Sequence, residues 1–274
     1  MTTSRKYGLV LGASRSIGRA IAHTLADQGV ILALPWYDWP EDSAAMIDQF
    51  AEKSHLHVCM HADLCNPEEI GKLVKNMEKA FGRLDILINN IERGGMPIIH
   101  GSYQRRVNVG QWQLEIETTL HAKWQVFEQC LPLLQKSDSA NVINISSIAG
   151  IVGRSGPTSV LFNDGYSAAN RGIRSLTETW ARKCAPAIRV NELVLGIIDQ
   201  RHGPGTRGWE ELSTEQRQAI IEHTLLKRTG SVEDVVKAVE FILHSDFLTG
   251  ASITLDGGYT LGGEEILPMP PGII

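Results

Sequence analysis

Short apolar runs alternate with longer segments whose apolar residues recur at helical spacing. The runs lie at 7–11, 30–34, 56–61, 84–89, 141–146, 188–195 and 252–255, and most are rich in Val, Ile and Leu. Runs without strict apolar–polar alternation predict strands covered on both faces, as in a parallel sheet. Between the first two, Ile17, Ile21 and Leu25 share one helical face, and Gly29 supplies the stop. Val232, Val235, Val236, Val239, Ile242 and Leu243 form a second stripe. It starts from Ser231, with Asp234 three residues on, a loose capping box. Strand–helix alternation with right-handed crossovers predicts an α/β fold. The expected form is a doubly wound parallel sheet of about seven strands with helices on both faces. No internal repeat is visible, and 274 residues of 43% hydrophobic content suit one domain over 1–274. The tail at 261–274 is rich in Pro and Gly and is expected to be irregular.

The first run ends in Gly12-Ala13-Ser14-Arg15-Ser16-Ile17-Gly18, and a helical pattern follows. Strand, glycine loop, helix is the Rossmann-type context for a dinucleotide. Glycines let the backbone approach the pyrophosphate, and a helix N-terminus offers free N–H groups and the positive end of its dipole. Ser16 stands where a third glycine is expected. A serine suits a phosphate site there if its φ stays negative, and its hydroxyl could donate to a phosphate.

The formal net charge of −5 excludes the clustered basic excess of a nucleic-acid binder. Cys59, Cys65, Cys130 and Cys184 lack metal spacing and read as reduced thiols of a cytoplasmic protein. No His/Asp/Glu grouping argues for a metal. No apolar run approaches the ~18 residues of a membrane span, and no leader precedes the first strand.

Together these segments resemble the short-chain dehydrogenase/reductase family over nearly the whole chain. The loop resembles the family's TGxxxGxG. The "HAD" ending at Asp63, followed by Leu64, resembles its adenine-contacting segment. "DILINN" (85–90), with Asn89 and Asn90, resembles its NNAG strand end, although Ile91 and Glu92 replace Ala-Gly. "NVINISSIAG" (141–150) resembles the strand of the catalytic serine, and "YSAAN" (166–170) stands where the family has YxxxK. "RVNELVLG" (189–196) resembles RVNxxxPG with Leu195 for Pro, and places Gly196 and Ile198 beside the cofactor. "TGASITLDGGY" (249–259) resembles the closing strand. The resemblance implies a nicotinamide cofactor held by Gly12, Ser14, Arg15, Ser16, Ile17, Gly18, Asp63, Leu64, Asn89, Asn90, Tyr166, Asn170, Gly196 and Ile198. It also implies a homo-oligomer, a tetramer, with interfaces on the two long helices and on the last strand and tail. Members that prefer NAD place an acid at the end of the second strand. Here that place falls near Trp36, with Asp38 two residues later. Arg15 matches a basic position common in NADP-preferring members, so NADP(H) is favoured over NAD(H).

The catalytic match is incomplete. Ser147 corresponds to the serine that holds the substrate oxygen, and Ser146 should point to the opposite face by strand alternation. Tyr166 corresponds to the proton-transferring tyrosine. The lysine position is Asn170, and the relay asparagine position is Thr119. A lone Tyr titrates near ~10, and a cation at ~4–6 Å lowers that by about one to three units. Arg171, Arg174 and Lys183 are poorly placed to stand in for the lysine. A neutral phenol suffices for carbonyl reduction, whereas alcohol oxidation needs the phenolate. The expectation is an NAD(P)H-dependent carbonyl reductase. Its rivals are a cofactor-binding protein without turnover, in which Tyr166 is structural, and a non-redox enzyme on the same scaffold.

The stretch 153–165 reads as an insertion at the mouth of the site, and 199–225 as a substrate lid. The loop after the fourth strand adds Arg93, His100, Arg105 and Arg106, the insertion Arg154, and the lid Arg201, His202 and Arg207, with Trp209 beside them. Basic residues gathered there in an acidic protein suggest a small anionic substrate, such as a carboxylate or a CoA thioester.

Overall fold

A computed structural model describes residues 5–37, 39–91, 109–199 and 212–263. Its strands are β1 (Tyr7–Val10), β2 (Ile31–Trp36), β3 (Val58–His61), β4 (Ile86–Asn89), β5 (Ala140–Ser147), β6 (Ile188–Leu195) and β7 (Ser252–Leu255). They form one sheet in the order β3-β2-β1-β4-β5-β6-β7, and every pairing is parallel. The strand order reverses between β1 and β4. Ligands of such sheets bind outside the carboxyl ends of the strands at that reversal.

Helices cover both faces, as expected. On one face α1 (Ser16–Asp27), α2 (Pro40–Lys53) and α9 (Val232–His244) bury Ile21, Phe50 and Val239 against the sheet. On the other lie α3 (Pro67–Phe81), α5 (Ala122–Leu134) and α7 (Asp164–Cys184), where Phe127 and Trp180 stack with ring centroids 3.9 Å apart. α1 stops where the left-handed Gly29 follows it, and Ser231 and Asp234 form the expected capping box of α9. α4 (Val109–Glu115) runs through a π turn (Ile116–His121) into α5. α6 (Ala149–Val152) and α8 (Thr214–His223) are short, and α8 is the described part of the expected lid. The expected irregular tail lies outside the described residues beyond residue 263.

A buried polar tie joins α5 and α7 to the sheet. The Asn89 amide donates to Asn144 Oδ1 (3.1 Å) and to the Lys123 carbonyl (3.3 Å), and Asn144 donates to Thr177 (2.8 Å). Lys123, 1% exposed, donates from Nζ to the Ile145 carbonyl at 2.8 Å. Glu192 accepts from Ser146 (2.6 Å) and from Ser252. Burial pulls the Lys123 pKa from 10.5 down to about 7, and the attraction of Glu192 opposes that fall only in part. An unfolded Lys123 therefore keeps a proton that the folded one has lost between pH 7 and 10.5. Stability should rise with pH across that window, by up to a few kcal/mol. Urea unfolding at pH 7, 8, 9 and 10 checks this, because Lys123→Met should flatten the rise.

Candidate functional site

The glycine loop sits at the strand-order reversal. Gly12 has φ +68°, and a Cβ there would lie 2.3 Å from the Asn90 carbonyl oxygen. A Cβ on Gly18 would lie 2.2 Å from the Gly12 oxygen. These glycines are thus required by the chain's own packing, beyond the room for pyrophosphate expected from the sequence. Ser16 departs from the sequence expectation, since its φ is +50° rather than negative. It keeps the left-handed conformation natural to glycine, at a cost of roughly 1–2 kcal/mol. α1 begins at Ser16, and Arg15 at its N-cap makes no capping side-chain bond. The helix start therefore offers its N–H groups to an anion. Ile17 is buried in the core, so only its backbone faces the loop.

Other cofactor candidates divide between ligand-facing and structural positions. Ser14 is buried, and its hydroxyl accepts from Ser43 at 3.1 Å. Arg19 donates to the Ser14 carbonyl and to the Asp42 carbonyl. Arg15 forms an ion pair with Asp42 (3.3 Å) and stacks 4.0 Å over the Trp39 ring. Asp63 accepts from the Cys65 N–H at 2.9 Å, while Leu64 packs into the core. Asn90 donates to the Leu11 carbonyl at 3.4 Å. Asn89 is corrected to an inward role: it is fully buried and spends its amide on the tie to Asn144 and α5. Gly196 approaches Asp256 so closely that a Cβ would lie 2.6 Å from its Cα. Ile198, also buried, pairs with Gly230 in an isolated bridge. Asp38 lies outside the described residues.

Ser147, Tyr166, Asn170 and Thr119 are all buried near the carboxyl edge of β5. Ser146 and Ser147 diverge as alternation requires. Ser146 bonds Glu192, while Ser147 accepts from the Ala149 N–H (3.2 Å) and reaches the Tyr166 hydroxyl. Asn163 caps α7 by accepting from the Tyr166 N–H at 2.7 Å. Gly150 lets α6 meet α7 here, since a Cβ would lie 2.8 Å from the Asn170 carbonyl carbon. Leu161 and Phe162, from the expected insertion, enclose Tyr166 with Ile148, Val194 and Tyr259. Tyr166 is 2% exposed as a result.

That enclosure overturns the expectation of an ordinary phenol. Burial raises the Tyr166 pKa well above its usual 10, the Ser147 bond counteracts in part, and the negative field of Glu115 raises it further. A hydrogen bond from Asn170 lowers it by less than the Ser147 bond does. Glu115 escaped the sequence reading. It lies one turn before Thr119, is fully buried, and accepts from Asn163 at 3.0 Å. Its only sequence signal was that spacing. The basic residues judged poorly placed to replace the lysine are engaged elsewhere: Arg174 pairs with Glu178 and Lys183 with Glu128.

The residues present fit a dinucleotide. Asn170 Oδ1 and Thr119 Oγ1 are buried without a hydrogen-bond partner, and each suits a sugar hydroxyl. The uncapped start of α1 suits the phosphates. Of the basic loop residues, only Arg154 is described, and it pairs with Asp164 at 3.4 Å. The others, with Trp209, lie outside the described residues. No group of metal-binding side chains occurs among the described residues.

The sheet order, the glycine loop and the Ser147–Tyr166 pair define a dinucleotide-fold oxidoreductase. Residues 12–260 match the family profile described as Enoyl-(Acyl carrier protein) reductase, and the chain belongs to the short-chain dehydrogenase/reductase family. It is 28% identical over 256 residues to the 3-oxoacyl-[acyl-carrier-protein] reductase FabG of Staphylococcus aureus, covering 92% of this chain and 97% of that one. It is 28% identical over 258 residues to Nodulation protein G of Azospirillum brasilense, covering 93% and 98%. A solved short-chain dehydrogenase/reductase from Burkholderia xenovorans shares the fold at TM-score 0.79 and 23% identity, over 95% of this chain and all of that one. An NAD(P)-type cofactor goes with this membership.

Gly12→Ala should damage the fold itself rather than leave a folded protein that has lost only its ligand. The added carbon meets backbone at a positive φ, so a loss of about 2–4 kcal/mol is expected. Thermal melts of the two proteins without added nucleotide check this.

Proposed function

We propose that this chain is an NAD(P)H-dependent carbonyl reductase acting on a ketone beside an acyl thioester. The observation that carries this reading is the buried Tyr166 hydroxyl, bonded to Ser147 and within the negative field of the Glu115 carboxylate. The bound dinucleotide supplies the hydride. Ser147 holds the carbonyl oxygen and Tyr166 gives that oxygen its proton. Asn170 holds a ribose hydroxyl without contributing charge, and Thr119 occupies the altered relay position. The names of the FabG relatives support the thioester class, and such a substrate is anionic through its carrier. Arg15 beside the phosphate loop supports NADP(H) over NAD(H).

A phenol whose pKa lies above 10 stays protonated, and competent to donate, at every pH where the protein works. Reduction therefore loses nothing to Tyr166 ionisation between pH 6 and 9. Alcohol oxidation needs the phenolate and starts at a disadvantage. The tight enclosure of Tyr166 and the Asn170 substitution also favour a second reading, a protein that binds the dinucleotide without turning it over.

Assembly as a homotetramer is part of the same reading. Trp112 and Trp124, each 43% exposed, and Phe241, 60% exposed, support interfaces on α4–α5 and beside β7. That no disulfide joins Cys59, Cys65, Cys130 and Cys184 supports work in the cytoplasm. No described helix is long and apolar enough to cross a membrane.

Tyr166→Phe should cut 3-oxoacyl thioester reduction by about 100-fold or more, since the ring stays but the proton is gone. Asn170→Lys should leave reduction at pH 7 nearly unchanged. It should raise alcohol oxidation about 10- to 1000-fold and move its alkaline limb to lower pH, through the one to three pK units a near cation supplies. Steady-state rates in both directions from pH 6 to 10 check both outcomes. Wild-type reduction rates in Tyr166→Phe would remove Tyr166 as the acid. Cofactor binding with no turnover of any substrate would establish the second reading. Light scattering should give a multiple of the 30.1 kDa chain mass, and a monomer at micromolar concentration would rule out the tetramer.

A further inference from the structure

We infer that Asp42, in the first turn of α2, sets the discrimination between NADPH and NADH. The inference rests on the reading of the loop as a dinucleotide site with Arg15 facing the adenosine ribose. Three contacts define the arrangement. Arg15 Nε lies 3.3 Å from Asp42 Oδ2. The guanidinium stacks 4.0 Å over Trp39, whose own φ of +61° places it at the N-cap of α2. Arg19 of α1 donates to the carbonyls of both Ser14 and Asp42, and Ser43 donates to Ser14. The last two bonds bolt the start of α2 to the glycine loop and so hold the Asp42 backbone beside it, with its carboxylate on Arg15.

Stability does not account for such an ion pair. Both side chains are more than a third exposed (36% and 44%), and exposed pairs contribute little to folding. Its consequence falls on a ligand. A 2′-phosphate on the ribose needs the guanidinium that Asp42 already holds, and it brings up to two negative charges toward that carboxylate. A 2′-hydroxyl brings no charge and can donate to that carboxylate. Arg15 thus draws the phosphorylated cofactor while Asp42 repels it, and the gap between the two cofactors is narrow. Trp36, which ends β2, meets His61 edge to face at 4.8 Å and offers no carboxylate, whereas Asp42 at the helix start does.

Affinities for NADPH and NADH, read by titration calorimetry without any substrate, test this. The wild-type dissociation constants should lie within about tenfold of each other, because one charge of each sign acts on the 2′ position. Asp42→Asn should tighten NADPH about tenfold and change NADH by less than about threefold, with the gain shrinking in 0.5 M salt. Arg15→Ala should weaken NADPH alone. Glu41→Gln removes a neighbouring carboxylate from the same turn and should leave the ratio of the two constants in place. The inference falls if Asp42→Asn moves both cofactors equally or neither, or if Glu41→Gln moves the ratio as far. Failure of the wild type to bind either cofactor would overturn the dinucleotide reading along with it. Tight binding with an unmoved ratio would overturn the role of Asp42 alone.

Discussion

The eight-residue parallel pairing of β5 with β6, from Ala140 beside Ile188 to Ser147 beside Leu195, is the frame on which the site is hung. Every residue of β5 and all but Arg189 of β6 is buried. Because side chains alternate along a strand, a one-residue slip would exchange Ser146 and Ser147. It would place Ser146 or Ile148 at the level of Tyr166 and uncouple Glu192 from Ser146. The polar tie through Lys123, Asn144 and Thr177 guards against that slip, since its donors and acceptors meet in one register only.

On this frame the tyrosine is held in a setting that opposes its own ionisation. Apolar neighbours strip water from the hydroxyl, and Glu115 adds a negative field. A positive side chain at residue 170 would counter both, and Asn170 does not. On the proposed reading, the direction of chemistry is set by electrostatics rather than by the presence or absence of Ser147 and Tyr166, since burial and Glu115 favour the protonated Tyr166.

Much of this was legible in the sequence. Continuous apolar runs reported a sheet covered on both faces, and strand ends were placed within two residues because the hydrophobic runs and the ladders coincide. The correspondences at Ser147 and Tyr166, and the departures at Asn170 and Thr119, could be read from the short motifs around them, despite the longer stretch between Ser147 and Tyr166. Three features were not legible. Ser16 fixes a positive φ through the packing of the loop on Asn90, which no local pattern reports. Asn89 and Asn90 are identical in sequence and opposite in role, since one lies inside the sheet and the other at its end. Glu115 and Lys123 enter only through the way helices lean on the sheet, and a charged residue within a helix reads as solvated until that lean is known.

The π turn between α4 and α5 explains why the lean could not be inferred. It inserts one residue into the winding of the helix without breaking it. Twelve residues at 100° each would set Trp112 and Trp124 about 120° apart around a regular helix, and the extra residue brings them to within about 20° of one meridian. The two indoles, equally exposed, would then fall near one meridian of the helix. Thr119, within the π turn itself, is fully buried. One inserted residue therefore sets the phase between the two ends of the helix, and restoring regular winding would rotate the indoles apart.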